Sequence, residues 1–185
     1  YTSPFSVTAR AYFDDDLAET ILNQKVVDEP GQSFRYLSGS TELLGMVIQK
    51  ATEKSMAEYL SESFWKPMGM ENDAFWQLDD KEHRLAKTYC CIGSNARDFA
   101  RFGKLYKNHG RWNGRQLLDS AFVARSTRPR FPADDMYGYG FWLDNFMGKD
   151  IFLSARFLVG GYTELELWVE NPWVWGNHWG YKFEY

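Results

Sequence analysis

The sequence has no basic tract, no internal repeat, no low-complexity segment, and no apolar run near the roughly 20 residues a membrane span needs. With a net charge of −4, the chain gives nucleic acid no electrostatic reason to bind. It has only two cysteines, Cys90 and Cys91, and they are adjacent. A normal disulfide needs Cα atoms about 4.4–6.8 Å apart, which neighbours reach only with backbone strain. Two buried thiols are therefore expected, and cysteine usage does not set the compartment. His83, His109 and His178 are widely spaced, with no H-x-x-x-H or Cys/His cluster, so no metal ion is expected. His109 reads as a solvated charge at a helix end. "GYGFW" has too few glycines for a phosphate loop, and no cofactor is called for. The opening "YTSPFSVTARAYFDDD" lacks a basic leader and an apolar h-region, so no signal peptide is visible. It also lacks an initiator methionine, as a mature, trimmed or partial chain would.

What is present is aromatic and globular. Hydrophobic residues make up 44% of the 185, enough to exclude disorder, and aromatics 18%, with eight tryptophans. The length suits one domain, or one domain and part of another. Helical spacing runs through 11–25 (Leu17, Ala18, Ile21, Leu22), with Asp14, Asp15 and Asp16 near its start, where carboxylates suit the helix dipole. Pro30-Gly31 marks a turn. One apolar helical face recurs over 39–52 as Leu43, Leu44, Val47, Ile48 and Ala51. Ser55-Met56-Ala57-Glu58 has the S-x-x-E form of a capping box, opening a helix to about Ser63. Asn95 caps a helix over 95–108 that Gly110 ends, and a short helix follows over 119–125.

The texture then changes. After "STRPRFPADDM", the segments "YGYGFWLD", "DIFLSARF" and "TELELWVE" read as strands, the last alternating Leu165, Leu167 and Val169 with Glu164, Glu166 and Trp168. Helices first and strands last give an α+β organisation: a mostly helical region over 1–136 and sheet strands over 137–185. The Trp-rich "NPWVWGNHWGYKFEY" is a divergent strand by position. An aromatic platform for sugars or peptides is the alternative to simple packing.

The text "EPGQSFRYLSGSTELLGMVIQKATEKSMAEYLSESFWKPMGM" resembles the tyrosine-motif region of the β-lactamase-related serine hydrolases. These comprise class C β-lactamases, DD-peptidases, family VIII-type esterases and 6-aminohexanoate-dimer hydrolases. "NARDFARFGKLYKNHGRWNGRQLL" and "YGYGFW" resemble the segments that follow there, so the similarity covers about 12–145. It implies a β-lactamase/transpeptidase-like fold whose N-terminal portion, with the first strands, lies outside this chain. It implies acylation of a serine by a small-molecule or peptide-like ester or amide, and a periplasmic or secreted location.

The resemblance also assigns roles. Tyr36 takes the position of the proton-carrying tyrosine of Y-x-N/S. A free phenol, with pKa near 10, is a poor base at pH 7, but neighbouring ammonium groups favour the phenolate. Ser38 takes the substrate-orienting position, and two residues apart in an extended segment the two side chains point the same way. Arg156 and the Gly160-Gly161 pair resemble the third motif on a strand edge, although no glycine follows Arg156. A β-bulge or turn is the alternative there. The chain's one S-x-x-K, Ser63 to Lys66, lies downstream of the tyrosine, whereas the family places it upstream. It reads as a packing corner, and the nucleophilic Ser-x-x-Lys is expected outside these residues. Without K-T-G, an esterase, peptidase or short-amide hydrolase is favoured over a true β-lactamase. A non-catalytic binding module of the same fold is the other reading.

Overall fold

The structure, a computed structural model, describes residues 6–29, 31–131, 136–146, 149–159 and 163–169. The chain forms two compact units, Tyr1–Arg101 and Phe102–Tyr185.

In the first unit the three aspartates divide what the spacing predicts as one helix. Helix α1 spans Val7–Phe13 and α2 spans Leu17–Leu22. Asp14 ends α1, and the Asp16 carboxylate accepts from the backbone N–H of Glu19 to cap α2. Such side-chain oxygens compete with the backbone for helix hydrogen bonds, which favours caps over helix interiors. Ala11, Leu17 and Ile21 form the core here, joined by Met46, Leu85 and Tyr89.

Helix α3 spans Ser38–Thr52, and the face it buries is not the apolar one. Ser38, Glu42 and Gly45 are buried, whereas Leu43, Leu44 and Val47 are 46%, 59% and 55% exposed. The reason is close approach. A Cβ on Gly45 would clash with the Thr88 side chain, so only glycine lets that segment come so near. Helix α4, Met56–Leu60, has the expected capping box: Glu58 N–H donates to Ser55 Oγ, and Ser55 N–H to the Glu58 carboxylate. A π-helical turn, Ser61–Trp65, continues it toward Gly69, at φ +65°.

A long irregular hairpin follows, unforeseen because no period-two run marks it. Strand β1, Phe75–Trp76, pairs antiparallel with β2, Ile92–Gly93, and a bridge between Leu78 and Ala86 extends the ladder. Gln77 faces two residues of the returning strand: its N–H donates to Cys91 O, and its C=O accepts from Lys87 N–H. Residues 88–90 therefore bulge out. From this bulged strand, Tyr89 OH donates to Ala11 O and Lys87 Nζ to Tyr12 O, near the C-terminal end of α1. Those carbonyls lack helical partners, and an ammonium suits that end of the dipole.

Helix α5 spans Ala96–Lys107. Asn95 Oδ1 accepts from Asp98 N–H as its cap. Asp98, fully buried, accepts from the N–H groups of Glu71 and Asn72, from both asparagine side chains, Asn72 and Asn95, and from Arg101. Burial alone would raise its pKa. The hydrogen bonds from Glu71, Asn95 and Asn72 outweigh that and hold it well below the usual carboxylate range.

In the second unit, β3 (Arg111–Trp112) and β4 (Arg115–Gln116) form a hairpin. Asn113 and Gly114 both take positive φ, 46° and 79°, as a two-residue turn of this kind requires. Helix α6 spans Ser120–Ser126, capped by Asp119. Tyr106, Val123 and Phe141 form the core, with Phe102, Leu118 and Leu143 against it. Strands β5 (Trp142–Phe146), β6 (Lys149–Val159) and β7 (Thr163–Val169) make an antiparallel sheet in the order β5-β6-β7. The register of β6 against β7 shifts between Phe152 and Ala155. The α+β reading holds; the Trp-rich segment over 171–185 lies outside the described residues.

Candidate active site

The approach to α3 is built by a turn. Gly31 takes φ +80°, and Arg35 pairs with Asp28 at 3.0 Å. Tyr36 follows, 43% exposed, then Leu37 in an extended conformation (φ −130°, ψ 114°). Leu37 is the N-cap residue and provides no side-chain cap; Ser40 N–H donates to its carbonyl. Ser38 is already helical and only 7% exposed. The tyrosine is thus displayed and the serine tucked beneath the helix start. The extended segment that would align the two side chains ends one residue too early.

One turn along α3, Glu42 is fully buried. Its Oε2 accepts from Thr88 N–H and from Thr88 Oγ1–H, both at 2.7 Å, while Oε1 has no hydrogen-bond partner. Burial pushes its carboxyl up, and the carboxylate of Asp79 adds to that; the bonds from Thr88 act against it. Next to Thr88, Tyr89 stacks edge-on against Tyr12 at 5.2 Å, and burial pushes its phenol up. A clasp of Glu42, Gly45 and Thr88 therefore fixes the first half of α3 to the bulge of the β1–β2 hairpin.

That bulge holds the cysteines. Cys90 and Cys91 are bonded to each other, correcting the expectation of two thiols. A turn closed by Cys90 N–H donating to Lys87 O, and a φ of +73° at Cys91, supply the backbone conformation that brings neighbouring sulfurs together. Trp76 Nε1–H donates to the carbonyls of both Lys87 and Cys90 at 2.9 Å.

A family model described as beta-lactamase matches residues 1–177. The chain belongs to the beta-lactamase family. It is 32% identical over 93 residues to protein flp of Staphylococcus aureus, a match covering 50% of this chain and 19% of that protein. A solved structure of a Bacillus anthracis protein assigned as a 6-aminohexanoate-dimer hydrolase superposes with a TM-score of 0.66 at 29% identity, covering 84% of this chain and 39% of that one. D-amino acid amidase from Ochrobactrum anthropi shares the fold at 14% identity and a TM-score of 0.57, covering 91% of this chain and 55% of that one. The chain thus spans well under two thirds of the length of each.

Of the site residues suggested by sequence, Tyr36 and Ser38 stand together at the start of α3. Arg156 lies on β6, in register opposite Glu166 on β7 and in the other unit. Gly160 and Gly161 lie outside the described residues. Lys66 is an exposed C-cap behind the π-helical turn containing Ser63, leading toward the buried Met68. At the hairpin tip, Asp79, Asp80 and His83 are the described residues whose donor atoms come close enough, within 4.8 Å, to share an ion. Their hydrogen bonds already close the turn: Asp80 accepts from Glu82 and His83 N–H, and Asp79 from Leu85 N–H. Glu42 and Thr88 were not anticipated. The signal available was Ser38, Glu42 and Gly45 at i, i+4 and i+7, a polar and small stripe opposite the apolar one.

Proposed function

We propose that the protein is a serine hydrolase that cleaves an ester or amide through an acyl-enzyme, with Tyr36 as its proton carrier. The observation that carries this reading is an exposed Tyr36 in the Tyr-x-Ser motif, immediately before α3, in a member of the beta-lactamase family. The tyrosine takes the proton of the attacking serine and returns it to the leaving group, so one residue is base and then acid. The serine and its lysine come from a Ser-x-x-Lys outside these 185 residues, since the one such motif here, Ser63 to Lys66, lies downstream of Tyr36. Ser38, buried at the helix start, takes the substrate-orienting position through the resemblance alone. Through their resemblance to the third motif, Arg156 and the Gly160–Gly161 pair are assigned to substrate binding, and a backbone N–H of that segment to the oxyanion hole. The 29% identity to the assigned 6-aminohexanoate-dimer hydrolase supports a short amide or ester over a β-lactam. A periplasmic or secreted site of action belongs to the same proposal, and a Cys90–Cys91 bond fits an oxidising compartment.

The test uses the full-length protein and a fluorophosphonate probe with an activated ester. Labelling should occur and vanish when the upstream serine of Ser-x-x-Lys becomes alanine. Y36F should lower kcat by about 10²–10⁴ with an unchanged melting temperature. Full turnover in Y36F would remove Tyr36 from the mechanism. A full-length protein that neither labels nor turns over ester would leave the non-catalytic binding module.

A further inference from the structure

Beyond the hydrolase reading, and independent of it, the hairpin bulge points to a thiol–disulfide site. The bond between Cys90 and Cys91 closes a small ring that includes the peptide bond between them. Cys91 lies at φ +73°, a left-handed conformation uncommon for a non-glycine residue. Three backbone groups are aimed by that ring. Cys90 O accepts from Trp76 Nε1–H, Cys91 O accepts from Gln77 N–H, and Cys90 N–H donates to Lys87 O. The same bulge presents Thr88 to Glu42 on α3 and Tyr89 to Ala11 on α1. Both cysteines are half-buried, so a thiol reagent can reach them.

We propose that Cys90–Cys91 is a reversible redox-modification site, reduced by a dithiol, whose state sets the shape of the bulge and so how firmly the start of α3 is held. A thiolate of the reductant attacks one cysteine sulfur, the Cys90–Cys91 bond breaks, and a mixed disulfide forms. The reductant's second thiol then displaces that cysteine. Two electrons and two protons pass to the cysteine pair, and the dithiol leaves as a disulfide. Without the ring, Cys91 is free to return to negative φ, which swings its carbonyl away from Gln77 and slackens the Thr88–Glu42 clasp. A disulfide oxidant reverses the change.

The experiment uses the full-length protein, never exposed to reductant, and the same protein after dithiothreitol. Iodoacetamide under denaturing conditions should add nothing to Cys90 or Cys91 before reduction and two groups after it. Reoxidation with oxidised glutathione should restore the first result. Amide exchange at Gln77 and Thr88 should speed up by about tenfold on reduction. The C90S/C91S variant should exchange at the reduced rate with or without dithiothreitol. Alkylation of both cysteines in the unreduced protein overturns the proposal. So does exchange at Gln77 and Thr88 that reduction leaves unchanged, or that responds to dithiothreitol equally in C90S/C91S.

Discussion

Two buried carboxylates in the first unit pull in opposite directions, and the difference lies in what surrounds them. Asp98 has hydrogen-bond donors on both oxygens and is held ionised; Glu42 has them on one oxygen only and favours the proton. The folded pKa of Asp98 lies below its ordinary 3.8, so its stabilisation is present above that value and is lost as pH falls through the folded value. The folded pKa of Glu42 lies above its ordinary 4.5, so native stability falls as pH rises from 4.5 toward the folded value. Urea titrations at a series of pH values should separate them. D98N should cost about 2–3 kcal/mol at pH 7 and flatten the decline at the acid end. E42Q should flatten the decline above pH 4.5 instead. If D98N left the acid limb as steep as in the parent, the assignment of that limb to Asp98 would be wrong.

At the scale of the element, α3 shows how a helix can bury its small and polar side. Alanine is a better helix former than glycine by about 1 kcal/mol, so propensity alone would make G45A stabilising. Overpacking against Thr88 costs about 1–3 kcal/mol and should win, lowering stability. G39A is the contrast, because a Cβ there meets only Ile21 Cδ1, at an ordinary 3.5 Å, and should be tolerated. Thermal melts of the two variants decide it. This is also where reading from sequence stopped. The caps at Asp16, Ser55, Asn95 and Asp119 were legible or nearly so, because each is a local contest between a side chain and the nearest N–H groups. The break at Asp14–Asp16 was less so, since two short helices and one long one share a spacing. The β1–β2 hairpin was invisible, its paired strands being two residues each. That Tyr36 stands just before a helix was legible through its flanking text. Glu42 was not, because its partner Thr88 lies 46 residues away and no local pattern encodes that contact.

For the molecule as a whole, the consequence of α3's orientation is an apolar surface. Leu43, Leu44 and Val47 share one helical face and are largely exposed, and stripes of this kind associate. The 185-residue chain in isolation should therefore self-associate as its concentration rises. L44K/V47K should reduce that association without unfolding the protein, as read by sedimentation velocity and circular dichroism. A parent chain that stays monomeric throughout would mean the stripe is too small to matter. The same molecule carries a constraint on its order of assembly. The carbonyls of Ala11 and Tyr12, near the end of α1, are met by Tyr89 and Lys87, 78 and 75 residues later. At a synthesis rate of about 5–20 residues per second, those partners follow α1 by roughly 4–15 seconds. During that interval a seven-residue helix, too short to persist alone, has nothing to close its end. Helix α1 is thus made well before the groups that close its end, and a nascent chain halted before the hairpin bulge emerges would leave α1 within reach of chaperones and proteases.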